Sequence, residues 1–330
     1  MKTTQRIAAR RSLSLLAVAV LGLAGCSAET TGSASGMPRI GVFIPANSNA
    51  YLRAEEAAAK KYGAELGLDV TVVTSNWETQ AQNTAFGFAQ QRKSYDGWVV
   101  NAISPVDQCG TLKQAASKGV PIVIAITAIC GDDGYTVGTV GFVGEQNRVG
   151  YNAWFDYMFR TSKPGPVSIL TGPPLDFVTN TTTAVAKDRF ASQKGFRLAS
   201  LQNTDYSTDA AFKATQTFLK ANPNLVAVAS NYSGMTRGVV QAVRQAARKG
   251  SVAVFDSNGD KWTKQQIKAG AITAALPGMP TSDIKLSLQL IKEKLEGQKV
   301  SRVTNPLDSL KFKGAPIITK DNVAQWKPEN

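Results

Sequence analysis

The chain of 330 residues contains no histidine and only three cysteines. Without histidine there is no Ser-His-Asp triad, no Cys-His dyad, no HExxH zinc-protease site and no imidazole metal ligand. Three thiols are too few for a four-cysteine zinc cage. No GxxxxGK phosphate loop occurs, so nucleotide hydrolysis would fall to a separate subunit. No apolar run reaches the roughly 20 residues needed to cross a hydrocarbon core. Charged residues make up only 18%, yet the 43% apolar content provides core material and excludes a disordered chain. Hydrogen bonds and aromatic faces are left as the working chemistry. The expectation is no catalytic residue, no metal and no cofactor.

Lys2, Arg6, Arg10 and Arg11 precede an apolar stretch over 13–24. That stretch reads as the core of a signal peptide spanning 1–25. It ends in Leu23-Ala24-Gly25-Cys26, which resembles the lipobox of bacterial lipoproteins. The resemblance implies a diacylated Cys26 and an extracytoplasmic body held to the bacterial cell membrane by lipid. A Ser, Thr, Ala and Gly-rich tether over 26–37 follows.

Residues 1–25 hold four of the 37 basic residues and none of the 24 acidic ones, so their removal leaves a net charge of +9. The remaining Lys and Arg are scattered along predicted helices. They read as solvated faces, not as a nucleic-acid surface. With Cys26 committed to lipid, Cys109 and Cys130 remain, near the ends of successive predicted strands. In an oxidising compartment they read as a disulfide in preference to two buried thiols.

From residue 39 the chain alternates strand and helix. Strands are expected at 39–45, 68–75, 97–101, 120–126, 137–143, 167–171, 196–201, 225–230, 252–256 and 271–276. Helices are expected at 51–66, 79–92, 106–118, 146–160, 181–193, 209–220 and 235–248, then after 256 and over 282–296. Continuous apolar strands between amphipathic helices indicate parallel sheets covered on both faces. About ten strands exceed one small sheet, so two doubly wound α/β lobes are expected.

Ligands of open α/β sheets bind beyond the carboxyl ends of the strands. Here those ends read Ala46-Asn47-Ser48-Asn49-Ala50-Tyr51, Ser75-Asn76-Trp77, Asn101-Ala102-Ile103-Ser104-Pro105 and Thr127. Later ones read Gly172-Pro173-Pro174, Asn231-Tyr232-Ser233 and Asp256-Ser257-Asn258. Each Asn or Ser alone could be a turn or helix cap. The repetition points to a pocket of amides and rings suited to a polyol. Asp256-Ser-Asn-Gly-Asp260 opens like a calcium loop, but its Gly comes early and its twelfth position is Ile267.

Over about 38–315 the sequence resembles the type I periplasmic binding proteins, especially the ribose-binding-like sugar receptors of ABC transporters. The resemblance rests on RIGVFIPANSNAYLRAEEAAAKKYGAELG, DGWVVNAISPVD, GVPIVIAI, ANPNLVAVASNYSGMTRGVVQAV, VAVFDSNGD and IKAGAITAALPGMP. It implies two lobes, 38–144 plus 279–305 and 145–278 plus 306–330, joined by three crossovers and closing on a ligand. It places Asn49 and Tyr51 at the ligand from one lobe and Tyr206 and Asp256 from the other, with Asp256 as hydrogen-bond acceptor. The family's Asp-Arg after the fourth strand is replaced by Ile126-Thr127, its Asn-Asp pair by Tyr232-Ser233, and its later Arg by polar residues near Asn180 and Thr181. With Trp77, Phe177 and Tyr232 nearby, the pocket reads as less charged and more aromatic. The expected partners are a small polar ligand such as a sugar and the permease subunits of an ABC importer, with the receptor a monomer. A sensor presenting the same ligand-bound shape to a signalling receptor is the alternative.

Overall fold

A computed structural model describes residues 36–174 and 176–330. The expected signal peptide, Cys26 and nearly all of the tether lie outside the described residues.

The first sheet is built on β1 (Arg39–Ile44), β2 (Asp69–Thr74), β3 (Gly97–Val100), β4 (Ile122–Ala125) and β5 (Gly141–Val143). Their helices are α1 (Ala50–Glu65), α2 (Thr79–Gln91) and α3 (Cys109–Ser117). α4 (Arg148–Thr161) leads into the second sheet, which comprises β6 (Gly165–Thr171), β7 (Phe196–Asn203), β8 (Ala227–Ser230), β9 (Ala253–Gly259) and β10 (Ala274–Pro277). Between these strands run α5 (Phe177–Ser192), α6 (Thr208–Ala221), α7 (Ser233–Gln245) and α8 (Lys261–Lys268). α9 (Pro280–Leu295), β11 (Val303–Thr304) and β12 (Ile318–Thr319) complete the order.

The two sheets have six strands each, ordered β11-β5-β4-β3-β1-β2 and β12-β10-β9-β8-β6-β7. Both are parallel except where β12 runs antiparallel to β10. β11 and β12 raise the strand total from the expected ten to twelve. Strands of two residues carry no readable periodicity, and tertiary pairing alone selects them.

Burial on both faces explains the unbroken apolar strands. In the first sheet Ile40, Val42, Ile44, Val99 and Val123 pack on Leu52 and Ala59 of α1 and on Ile284 and Leu288 of α9. Phe43, Trp98, Ile124 and Phe142 point the other way, against Phe86 and Leu112. The second sheet buries Val167, Ile169, Ala229 and Phe255 against Trp154, Phe155 and Met158 of α4. Val228 and Val254 meet Phe218, Val239 and Trp326 on its opposite face.

α4 follows a strand of the first sheet but packs on the second, whereas α9 follows a strand of the second but packs on the first. The chain passes between the sheets a third time after β11. α5 starts at Phe177, four residues before its expected position. Its Thr-rich first turns have weak helix propensity, but Asp176 caps them by accepting from Thr179 N at 2.9 Å. The Cys109–Cys130 disulfide is formed and ties the start of α3 to the loop after β4.

Candidate functional site

The carboxyl ends of the strands of both sheets meet around one cavity with about 640 Å³ of empty space, part of it open to solvent. From the first sheet come Asn49, Tyr51 and Glu55 of the β1–α1 segment, Trp77 after β2, Asn101 to Ile103 after β3, and Ile126 and Thr127 after β4. From the second come Asp176 and Phe177 after β6, Tyr206 after β7, Asn231 and Tyr232 after β8, and Asn258 at the end of β9. Gln146 enters from the β5–α4 crossover.

Backbone strain is concentrated here. Of the eight non-glycine residues with positive φ among the described residues, Trp77, Ile126, Tyr206 and Asn258 line the cavity and Asn76 adjoins it. Such conformations cost about 1–3 kcal/mol each and persist only where surroundings over-determine them. At Gly172 a side chain is impossible without rearrangement: a Cβ there would lie 2.0 Å from the Tyr206 ring.

Tyr51 sits in the first turn of α1, and Asn49 caps that turn by accepting from Leu52 N at 3.0 Å. The Tyr51 hydroxyl points inward, 3.1 Å from Asp283 Oδ2 and 3.4 Å from Glu145 Oε1, and accepts from Gln146 Nε2 at 3.0 Å. Glu145 Oε1 also accepts from Met279 N at 3.1 Å. Thus carboxyls from the first and second crossover regions share one site beneath the cleft. Both are fully buried, and burial raises both pKa values; the charge of Glu145 raises Asp283 further, whereas the hydrogen bond with Asp283 opposes the rise at Glu145. The Tyr51 hydroxyl is likewise held well above its usual range, first by burial and then by the nearby acids.

On the opposite wall Tyr206 donates to Asp176 Oδ1 at 2.8 Å and meets Tyr232 edge to face, with ring centroids 5.5 Å apart. Trp77 is 43% exposed at the mouth, its indole N–H donating to Ser48 Oγ at 3.2 Å. Thr127 Oγ1, Asn231 Oδ1 and Asn258 Oδ1 are buried atoms with no hydrogen-bond partner among the described residues.

Two expected contacts fall elsewhere. Asp256 is fully buried and is not among the lining residues. Its oxygens accept from Thr236 and, at 2.7 Å, from Thr263, so it braces β9 against α7 and α8. Burial pushes its pKa up to about 8, against the lowering effect of both threonines. Asn180 is exposed and lines a separate depression with Arg148, Phe177 and Thr181, because the early start of α5 rotates it away from the cleft. Asn49, Tyr51, Trp77, Thr127, Tyr206 and Tyr232 are brought together.

The structure adds Glu55, Asn101, Gln146, Asp176, Asn231 and Asn258 to the lining. Asn101, Asn231 and Asn258 were visible in the polar strand ends. Glu55 gave no signal, because an acid in an Ala/Glu/Lys-rich helix ordinarily reads as solvated. Among the described residues no group of three or more acidic or thiol side chains is placed to hold a metal ion.

The sequence pattern of the periplasmic binding protein domain matches residues 40–299. The chain belongs to this family. As a periplasmic binding protein it is 24% identical over 304 residues to the D-ribose/D-allose-binding protein of Pseudomonas aeruginosa, covering 89% of this chain and 93% of that one. The structure of the Caulobacter myo-inositol binding protein, bound to myo-inositol, aligns with a TM-score of 0.75 at 20% identity, covering 87% of this chain and 95% of that one. An Actinobacillus succinogenes solute-binding protein with bound D-allose aligns with a TM-score of 0.74 at 20% identity, covering 88% and 100%. At these identities the structural likeness establishes a shared fold of two parallel-sheet lobes.

Proposed function

We propose that this periplasmic binding protein is the extracytoplasmic receptor of an ABC importer and captures a sugar or similar small polar ligand between its lobes. The observation that carries the reading is the cavity at which amides and rings from both sheets converge, floored by the chain crossovers. The lobes are 38–144 plus 279–305 and 145–278 plus 306–330, with the crossovers as hinge. Each lobe supplies contacts that the closed state brings together, which is how a ligand shifts an open–closed equilibrium. The protein works by binding, without catalysis, and docks as a monomer on permease subunits. Cys26 carries the lipid that keeps it at the membrane.

The similarity to receptors for D-ribose, D-allose and myo-inositol supports a polyol as ligand. A thermal-shift screen against these three and related sugars tests the reading. A ligand at about 100 times its Kd should stabilise the fold by about 2.7 kcal/mol. Loss of the response in Asn231→Ala and Tyr232→Ala would locate binding in the cleft, and a response unchanged in both would remove it from there. Mass spectrometry of the native protein should find a diacylated Cys26, and Cys26→Ser should release the body from membranes.

A further inference from the structure

The lining of the cleft presents acceptors and buried acids, while Arg53 and Arg237 act on Tyr232 without themselves lining the cleft. Among the described residues lining it there is no Lys or Arg, although the body beyond residue 25 carries a net charge of +9. Glu55 forms part of the lining, and Glu145 and Asp283 lie directly behind Tyr51. All three are fully buried, and none belongs to an ion pair among the described residues. Asp176 adds a fourth carboxyl from the other wall, but it is engaged as the cap of α5 and by Tyr206.

Glu55 has no comparable structural role. Among the described residues its oxygens accept only from Asn101 Nδ2, at 3.2 and 3.3 Å. The buried amide oxygens of Asn231 and Asn258 are unpartnered acceptors in the same lining. Rings of Tyr51, Trp77, Phe177, Tyr206 and Tyr232 complete the walls. An ammonium group offers three donors, no acceptor and a positive charge, and it is attracted to aromatic faces. A phosphate or carboxylate would meet buried acids and no Lys or Arg in the described lining.

We propose that the cleft takes a polyhydroxylated ligand bearing a protonated amine, such as an amino sugar, with the Glu55 carboxylate as counter-ion. This rests on the solute-receptor reading above. The titratable groups facing Glu55 are Tyr51 on its own helix, Glu145 from the β5–α4 crossover and Asp283 from α9, none of them basic. Burial first, and then the charge of Glu145, raise Glu55 to about 8, with Asn101 opposing. The free protein at pH 6.5 therefore keeps the Glu55 proton, and binding an ammonium expels it.

Calorimetry on the purified protein at pH 6.5 tests this with D-glucosamine, D-galactosamine and D-mannosamine, their hydroxyl parents, and D-glucosamine 6-phosphate. At least one amino sugar should bind tenfold or more tighter than its parent, and the phosphate should not bind. Buffers of different ionisation enthalpy should reveal proton release on amine binding. Glu55→Gln should abolish both the preference and the release while keeping a cooperative melt. If that variant does not fold, the proton count for the wild type decides alone. Equal or tighter binding of the parents, or amine binding without proton release, overturns the proposal and leaves the receptor reading standing. Absence of binding by these sugars and by the neutral polyols of the thermal screen would overturn both.

Discussion

The hydroxyl of Tyr51 lies 3.1 Å from the carboxylate of Asp283, across 232 residues of sequence. This contact joins α1, which supplies the cleft, to the first turn of α9, where the chain re-enters the first sheet. Glu145 and Gln146 reach the same hydroxyl from the other crossover. The ring of Tyr51 thus lines the cleft while its oxygen organises the base of the hinge.

Tyr51→Phe keeps the ring and removes the oxygen, leaving Gln146 and Asp283 short of a buried partner. Denaturant unfolding should show a loss of about 1–3 kcal/mol at an unchanged slope. Tyr51→Ala should additionally weaken solute binding. An unchanged midpoint for Tyr51→Phe would contradict the contact.

Asp256 and Glu55 both have pKa values raised to about 8 in the fold, against about 4 in an unfolded chain. The folded state therefore holds more protons between those values. Their contribution to stability is fully present below about pH 4 and is lost as pH rises towards 8. Asp256→Asn should flatten this part of the stability–pH curve and raise stability at pH 8 relative to wild type. A steeper curve in the variant would refute the assignment.

Two glycine substitutions should act in opposite directions. In Gly172→Ala the new methyl displaces the Tyr206 ring from its bond to Asp176, so solute affinity should fall. Gly87 lies exposed within α2, where an added methyl would meet open space. Gly87→Ala should stabilise the protein by about 0.5–1 kcal/mol and leave affinity alone. Thermal melts with and without solute separate the two effects.

The Cys109–Cys130 bridge lies away from the cavity lining. Replacing both cysteines with serine should cost about 3 kcal/mol for a loop of this length. Solute affinity should be retained, and thiol titration of the unreduced, unfolded body should find neither cysteine free. Lost affinity in a folded double variant would assign the bridge a role in shaping the cleft.

The parallel sheets, the two-lobe division and the disulfide candidates were legible because each follows from local pattern. Apolar runs of four to seven residues, helix breaks and paired cysteines are properties of neighbouring residues. Strand ends rich in Asn and aromatics were legible for the same reason, and Tyr51, Trp77, Tyr206 and Tyr232 line the cleft as they implied. What each side chain does there was decided by tertiary structure. Asp256 matched a ligand-contact position by motif, yet Thr236 and Thr263 from two helices enclose it. Glu55 looked like one more solvated acid, yet the approach of Asn101, Glu145 and Asp283 buries it in the cleft wall. A carboxyl has the same sequence letter whether it faces water, threonines or other acids. Only the three-dimensional arrangement sets its hydration, partners and charge, and hence its function.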